Sequence, residues 1–134
     1  MYLGIEFGST RIKGIVLNDN FEVIASGSYI WQSTLKDGYW TYDLNEVWVG
    51  MNAVIDEIAK TINVKEIKSL GVSAMMHGFL PFDKNGKLLT PFRTWKNTNT
   101  IVAATELSKQ FAFNIPLRWS IAHLYQAYLD KESY

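Results

Sequence analysis

The chain has 134 residues, 48% of them hydrophobic and 19% charged, which is enough for one folded domain and too little for two of full size. Thirteen basic residues balance thirteen acidic ones with no charged tail, so electrostatics gives no case for a nucleic-acid or anionic-membrane partner. The absence of cysteine excludes disulfides and thiolate metal sites, and the sequence has neither a signal peptide nor an apolar run of about 18 residues. We therefore expect a cytoplasmic protein without a membrane partner.

The first residues predict a β-hairpin with a small polar tip. Strands are predicted over residues 2–7 and 12–17, and Gly8, Ser9 and Thr10 lie between them. This tip offers backbone amide groups and two hydroxyls in one place, which suits phosphate oxygens. Because short Gly/Ser/Thr motifs are weak signals, the alternative is an ordinary hairpin whose tip tolerates small residues.

Two charged side chains flank the tip. Lys13 follows it closely, and Glu6 stands near the end of the first predicted strand. A carboxylate at that position could hold a divalent cation against bound phosphates, directly or through water.

Strand and helix periodicities alternate over the next fifty residues. A third antiparallel strand is predicted over residues 21–31, then a loop over 32–42 whose aromatic residues either pin it to the core or line a ligand. Apolar residues at helical spacing predict a helix over Leu44–Ile62, with Asp43 or Asn45 as its N-cap.

A histidine follows the next apolar run. Residues 70–76 have strand length and come after a helix, which predicts a strand parallel to its neighbour. Since ligands in open α/β sheets lie beyond the carboxyl ends of parallel strands, His77 and Gly78 are candidate site residues. The alternative is a histidine that caps the strand end with a structural hydrogen bond.

The last third of the chain predicts a second hairpin, a surface segment and two helices. The hairpin is predicted over residues 79–92 around an Asn-Gly turn, and the segment 91–100 lacks periodicity. In that segment Trp95 and Asn97 could face a polyhydroxylated ligand, because an indole stacks on sugar C–H faces and an amide both donates and accepts. The helices are predicted over residues 100–111 and from about residue 118.

These elements predict a mixed sheet and an exposed apolar helix. A meander followed by a right-handed crossover gives the strand order 3-2-1-4, with the first strand inside the sheet. The final helix is apolar around most of its circumference, so we expect an exposed apolar patch and self-association through it.

The predicted element order β-β-β-α-β and four local motifs resemble the FGGY family of carbohydrate kinases. That family has an actin-like ATPase (ribonuclease H-like) fold of the α/β class. The motifs are Leu3–Lys13, Gly38–Trp40, Gly71–Gly78 and Pro91–Trp95. The resemblance implies ATP-dependent phosphorylation of a sugar or sugar-alcohol hydroxyl, by an enzyme of the ribulokinase, xylulokinase and rhamnulokinase type.

The resemblance also implies roles for individual residues. It places an ATP phosphate site at the hairpin tip, a Mg2+-associated carboxylate beside it and a sugar site at the parallel strand end. By this analogy Gly8, Ser9, Thr10 and Lys13 approach the phosphates, Glu6 acts on the metal through water, and Met76, His77, Gly78, Trp95 and Asn97 bind the sugar.

Two departures and the length limit the analogy. The family usually has Asp where this chain has Glu6, and many members have an acidic residue where this chain has Asn97, which cannot act as a general base. The resemblance implies that residues 1–134 correspond to the N-terminal portion of the first actin-like domain, with the second domain absent. We therefore expect the general base beyond residue 134 and no activity from this chain alone, since phosphoryl transfer needs several elements at once. The alternatives are a non-catalytic binding module with this fold and an actin-like kinase of another family.

Overall fold

A computed structural model describes residues 1–133, and the chain divides into two compact units. The first unit comprises Met1–Ser33 and Asp43–Met75, and the second comprises Thr34–Tyr42 and the residues from Met76 onward. Within the described residues, no helix has the length and hydropathy needed to cross a membrane. In chain order the elements are β1 (Tyr2–Phe7), β2 (Arg11–Leu17), β3 (Val23–Ile30), β4 (Thr34–Lys36), β5 (Tyr39–Tyr42), α1 (Leu44–Ala59), β6 (Ser69–Ala74), β7 (Phe92–Arg93), α2 (Ile101–Phe111) and α3 (Ser120–Leu129), with a 3-10 turn over Val64–Glu66.

The first unit contains a four-stranded mixed sheet. Its order is β3-β2-β1-β6, with antiparallel pairing from β3 to β1 and parallel pairing between β1 and β6. The predicted order and the internal position of the first strand are confirmed. Because β6 runs parallel to β1, its carboxyl end lies at the same edge of the sheet as the β1–β2 hairpin tip.

Helix α1 covers one face of this sheet. Its N-cap is Asp43, one of the two predicted candidates, whose carboxylate accepts the N–H of the other candidate, Asn45, at 2.8 Å. Gly14 and Gly27 pair across β2 and β3, and α1 packs directly against them. A Cβ on Gly14 would lie 2.6 Å from Val54 Cγ1, and a Cβ on Gly27 would lie 2.6 Å from the Val54 carbonyl oxygen. The helix therefore packs so closely on β3 that only glycine fits there.

The second unit is built from short strands and two helices. Strand β5 pairs with β4 on one side and with β7 on the other. Helices α2 and α3 pack around a small apolar cluster that includes Leu107, Ile115 and Ala122.

The prediction of a loop over residues 32–42 is wrong. The segment forms the β4–β5 hairpin, which turns at Asp37 and Gly38 with φ values of 50° and 83°. Positive φ at both central residues is typical of the two-residue type I′ turn, for which Asp-Gly is a preferred sequence. The Asp-Gly signal is present in the sequence, but the prediction of a loop followed the polar composition of the segment, although its aromatic residues favour a strand.

The predictions for residues 79–100 are corrected in two respects. The second hairpin keeps its turn, in which Asp83 Oδ1 accepts the backbone N–H groups of Asn85 and Lys87, but its arms form only isolated bridges. One arm instead pairs with β7, through Phe79 and Arg93. The segment 91–100 is not a surface segment, because half of its residues are buried; these are Phe92, Arg93, Thr94, Asn97 and Thr100.

Helix α3 has the expected exposed apolar stripe. Ala122 and Ala127 are buried, whereas Ile121 and Leu124 are exposed and Tyr128 is 76% exposed. Together with Leu107 these exposed residues line an open groove of about 640 Å3. Self-association through this stripe remains a prediction.

Candidate phosphate and sugar sites

The hairpin tip of the first unit is held by its own backbone and by Trp31. The Gly8 N–H donates to the Arg11 carbonyl at 3.0 Å and closes the tip. Trp31, which is only 2% exposed, donates its indole Nε1–H to the Gly8 carbonyl at 2.7 Å and its backbone N–H to the Thr10 carbonyl at 3.2 Å. Two carbonyl oxygens that would repel a phosphate are therefore engaged within the protein, and the tip is fixed in shape.

Glu6 and Lys13 lie beside this tip. They are directly opposite each other in the β1–β2 ladder, so both side chains project from the same face of the sheet. A Cβ on Gly8 would lie 3.8 Å from Glu6 Oε1 and 3.0 Å from the Arg11 carbonyl oxygen, so the tip has little room for a larger residue. Glu6 and Lys13 also line an open groove of about 490 Å3 on the sheet, together with Gly71 and Ser73.

The carboxylate of Glu6 fits the way proteins hold Mg2+. That ion is usually bound through one or two carboxylates, with water and substrate phosphates completing its octahedron. Glu6 is exposed and lies next to the backbone of the tip. Among residues 1–133 no three His, Asp or Glu side chains converge on one point. A Mg2+ ion at this position would therefore be held by Glu6, water and substrate phosphates.

In the second unit, His77 has a strained backbone. Its φ is 68°, in the left-handed region that non-glycine residues rarely adopt, and its side chain is half-buried. Strained residues of this kind cluster at ligand sites, where the surrounding structure holds them in place. The neighbours differ in exposure: Met76 is 72% exposed, whereas a Cβ on Gly78 would lie 2.6 Å from Phe92 Cε2.

The predicted sugar-site residues lie at one end of β7. Phe79 and Arg93 exchange backbone hydrogen bonds of 2.9 and 3.2 Å in an antiparallel bridge. His77 lies two residues before this bridge, and Trp95, whose indole is 46% exposed, lies two residues after it. An imidazole can bind a sugar hydroxyl, and an exposed indole can stack on a sugar C–H face.

Asn97 differs from its predicted partners. It is 4% exposed, and its amide bonds to backbone: Oδ1 accepts the Trp40 N–H at 2.8 Å, and Nδ2 donates to the carbonyls of Trp40 at 2.8 Å and Thr94 at 2.9 Å. Both amide hydrogens are thus committed, which leaves one oxygen lone pair for any ligand.

Sequence analysis missed two residues that shape these sites. Trp31 follows β3, and only the register between β2 and β3 shows that it reaches the hairpin tip. Arg93 is buried, forms a bidentate ion pair with Glu132 at 3.0 and 2.6 Å, and has its guanidinium carbon 4.2 Å from the centre of the Tyr39 ring. No local pattern signals a pair 39 positions apart, so this contact is found only in three dimensions.

Comparison with known proteins decides the family. Residues 1–116 match the model of the FGGY family of carbohydrate kinases, N-terminal domain. The chain belongs to this family. This membership confirms the resemblance of its motifs and removes the alternative of an actin-like kinase from another family.

Individual relatives agree with this assignment. A xylulose kinase from Klebsiella pneumoniae is 28% identical over 98 residues, which cover 72% of this chain and 20% of the relative. An L-fuculokinase from Haemophilus influenzae is 25% identical over 111 residues, covering 77% of this chain and 24% of the relative. The crystal structure of a gluconate kinase from Lactobacillus acidophilus superposes with a TM-score of 0.84 at 20% identity, over 98% of this chain and 29% of that one.

These matches establish the actin-like α/β fold. The chain spans only about a fifth to a quarter of the length of the two curated relatives.

Proposed function

We propose that this chain is part of an ATP-dependent kinase that phosphorylates a hydroxyl of a sugar or sugar alcohol. The observation that carries the proposal is the match of residues 1–116 to the N-terminal domain of a carbohydrate kinase family. Two observations support it: the polar hairpin tip is closed by its own backbone, and His77 has a strained backbone of the kind that clusters at ligand sites.

The first unit would bind the phosphates. Gly8 would approach the phosphates with its N–H closing the tip on Arg11, Ser9 and Thr10 would supply hydroxyls and backbone amides, and Lys13 would supply a positive charge on the same face as Glu6. Glu6 would hold Mg2+ through water, and the ion would neutralise phosphate charge when bound. With Gly8 and Thr10 carbonyls engaged by Trp31, the tip is preorganised for this role.

The second unit would bind the sugar. His77 would exchange a hydrogen bond with a hydroxyl, Trp95 would stack on a C–H face, and Met76 would line the wall while Gly78 lets the chain pass Phe92. Asn97 has one lone pair left for a direct contact. The names of the relatives, which include a xylulose kinase, an L-fuculokinase and a gluconate kinase, favour an open-chain or ketose-type polyhydroxyl substrate.

Other parts of the enzyme complete the proposal. We infer that residues 1–134 form the N-terminal portion of the first of two actin-like domains, and that the general base and the adenine site come from residues outside this chain. We also propose a cytoplasmic location. Self-association would occur through the stripe formed by Ile121, Leu124 and Tyr128, and sedimentation at increasing concentration tests it.

Steady-state kinetics of the whole protein tests the proposal. ADP release is measured with Mg-ATP and xylulose, L-fuculose, gluconate or xylitol. His77→Ala should raise the sugar KM on the order of tenfold with little change in the ATP KM, because one hydrogen bond to a hydroxyl is lost. Thr10→Ala should affect the ATP KM first. If the whole protein binds ATP but releases no ADP with any of these sugars, a non-catalytic module is supported instead.

A further inference from the structure

The side chain of Asn97 continues a β-ladder. Strands β5 and β7 pair at Tyr42 with Phe92 and at Thr41 with Arg93, and the Thr94 N–H then donates to the Trp40 carbonyl at 2.9 Å. There the strand pairing stops. The Asn97 amide takes the next place, since it accepts the Trp40 N–H and donates to the Trp40 carbonyl, each at 2.8 Å. It pairs with both polar groups of Trp40 as a strand residue would.

The same amide closes the turn that carries Trp95. The Asn97 N–H and Nδ2 both donate to the Thr94 carbonyl, at 3.3 and 2.9 Å, and Thr94 Oγ1 accepts the Lys96 N–H at 3.2 Å. Trp95 is the second residue of this four-residue turn, and Lys96 Nζ lies 4.9 Å from the centre of the Trp40 ring. One buried amide therefore fixes the backbone beneath two exposed indoles, those of Trp40 and Trp95.

We propose that Asn97 is a positioning residue that holds Trp40 and Trp95 as the aromatic wall of the sugar site. The identity of the ligand rests on the proposed function above. The hydrogen bonds from the Asn97 side chain to Trp40 and Thr94, which we call the clamp, do not depend on it. Asn97 holds the backbone beneath Trp40 and Trp95, so this effect on a sugar is exerted through the two indoles and is separate from any direct contact made by its remaining lone pair.

The clamp requires an amide. A carboxylate at position 97 could still accept the Trp40 N–H, but its second oxygen would face the carbonyl oxygens of Trp40 and Thr94 without a hydrogen to share. Protonation would restore one O–H donor. Asn97→Asp should therefore open the clamp near neutral pH and close it again on acidification, with Lys96 as the charged neighbour on the turn.

Amide hydrogen exchange followed by NMR tests the clamp. In the wild type, the Trp40 N–H and the Asn97 side-chain amide hydrogens should exchange slowly. In Asn97→Asp, the Trp40 protection factor should fall on the order of ten- to hundredfold at pH 7.5 and recover in part at pH 5. Asn99→Asp is the matched control, because Asn99 is exposed two positions away and undergoes the same charge change.

Hydrogen exchange in the wild type tests the clamp even if Asn97→Asp does not fold. Asn97 side-chain hydrogens that exchange as fast as those of Asn99 would overturn the clamp. So would unchanged Trp40 protection in folded Asn97→Asp at pH 7.5.

Sugar affinity separates the positioning role from the proposed function. Xylulose binding is followed by tryptophan fluorescence in the whole protein. We expect Asn97→Asp to weaken it on the order of tenfold at pH 7.5, with recovery at pH 5, and Asn99→Asp to match the wild type. Equal affinity in a variant whose clamp has opened would overturn the positioning role. If no sugar of the panel binds the wild type while the clamp is present, the proposed function fails and the clamp stands.

Discussion

Each of the two units is stabilised internally by a different kind of contact. In the first unit, ladders of six paired positions join β1 to β2 and β1 to β6, and the residues buried under α1 are apolar or glycine. The second unit has strands of two to four residues. Within the described part of the chain, all of the buried polar side chains belong to this second unit; they are Thr41, Thr90, Arg93, Thr94, Asn97, Thr100, His123 and Gln126.

The difference shows how a small region keeps a fixed shape with little sheet or apolar core. Buried side chains take the place of missing backbone partners: Gln126 Oε1 accepts the Ala103 N–H at the start of α2, and Thr100 Oγ1 donates to the Leu117 carbonyl at 2.6 Å. Such contacts are directional and costly to leave unmade. The unit that depends on them also carries the candidate sugar residues.

The largest loss of stability should come from a larger side chain where α1 packs on β3. Gly27→Val would place a Cβ 2.6 Å from the Val54 carbonyl oxygen, and backbone cannot rotate away as a side chain can. We expect a loss of unfolding free energy of more than about 4 kcal/mol, or failure to fold. Gly71→Ala is the control, since nothing lies within 4 Å of its Cβ. Equal stability of the two variants in urea titrations would show that the first unit does not depend on this close packing.

Breaking the buried ion pair should have the next largest effect. Glu132→Gln leaves the guanidinium of Arg93, which is 4% exposed, without its carboxylate, and should cost about 3 kcal/mol. The matched change in the first unit is Glu57→Gln, which removes an exposed pair with Lys60 on α1 and should have little effect. Similar losses from both changes would remove the contrast between the units.

The smallest effect concerns His123 and pH. Its ring is fully buried, stacks on Phe79 at 5.2 Å, and neither nitrogen has a hydrogen-bond partner among the described residues. Burial, aided by the nearby charge of Arg93 and opposed by Glu132, lowers the pKa of His123 from 6.5 to about 4. The folded state therefore keeps this ring neutral where the unfolded state binds a proton.

Stability from this group is present above pH 6.5 and is lost as pH falls toward 4, because the unfolded state takes up more protons in that window. The loss should be about 2 kcal/mol between pH 7 and pH 5. His123→Leu should remove this part of the slope in denaturant titrations run at each pH. A slope that is the same in the variant would assign it to other groups.

How much the sequence could predict also differs between the units. The strands of the first unit, their order, α1 and its cap at Asp43 follow from local patterns, because alternation and helical spacing mark which face is buried. In the second unit α2 and α3 were predicted on the same basis. The burial of Arg93 and Asn97 was not, since a polar side chain is buried only when a distant partner satisfies it.

The candidate site followed the same division. The positions of the hairpin tip and of the histidine after β6 were predicted correctly, because both depend on local sequence and on the rule for strand ends, whereas their roles in binding stay predictions. The commitment of the Asn97 amide to Trp40 was missed, because the two residues are 57 positions apart and no periodicity connects them.

The placement of the β4–β5 hairpin has a consequence for biosynthesis. Tyr42 pairs with Phe92, which is added to the growing chain fifty residues later. At common translation rates, one edge of β5 remains unpaired for roughly 3–10 s after it is made. During that interval the ribosome-bound chain exposes a strand edge with Tyr39, Trp40 and Tyr42, which is the kind of segment that chaperones shield and that aggregates if they do not. Slow codons between these two strands should therefore lower the yield of folded protein, whereas slow codons after β7 should not.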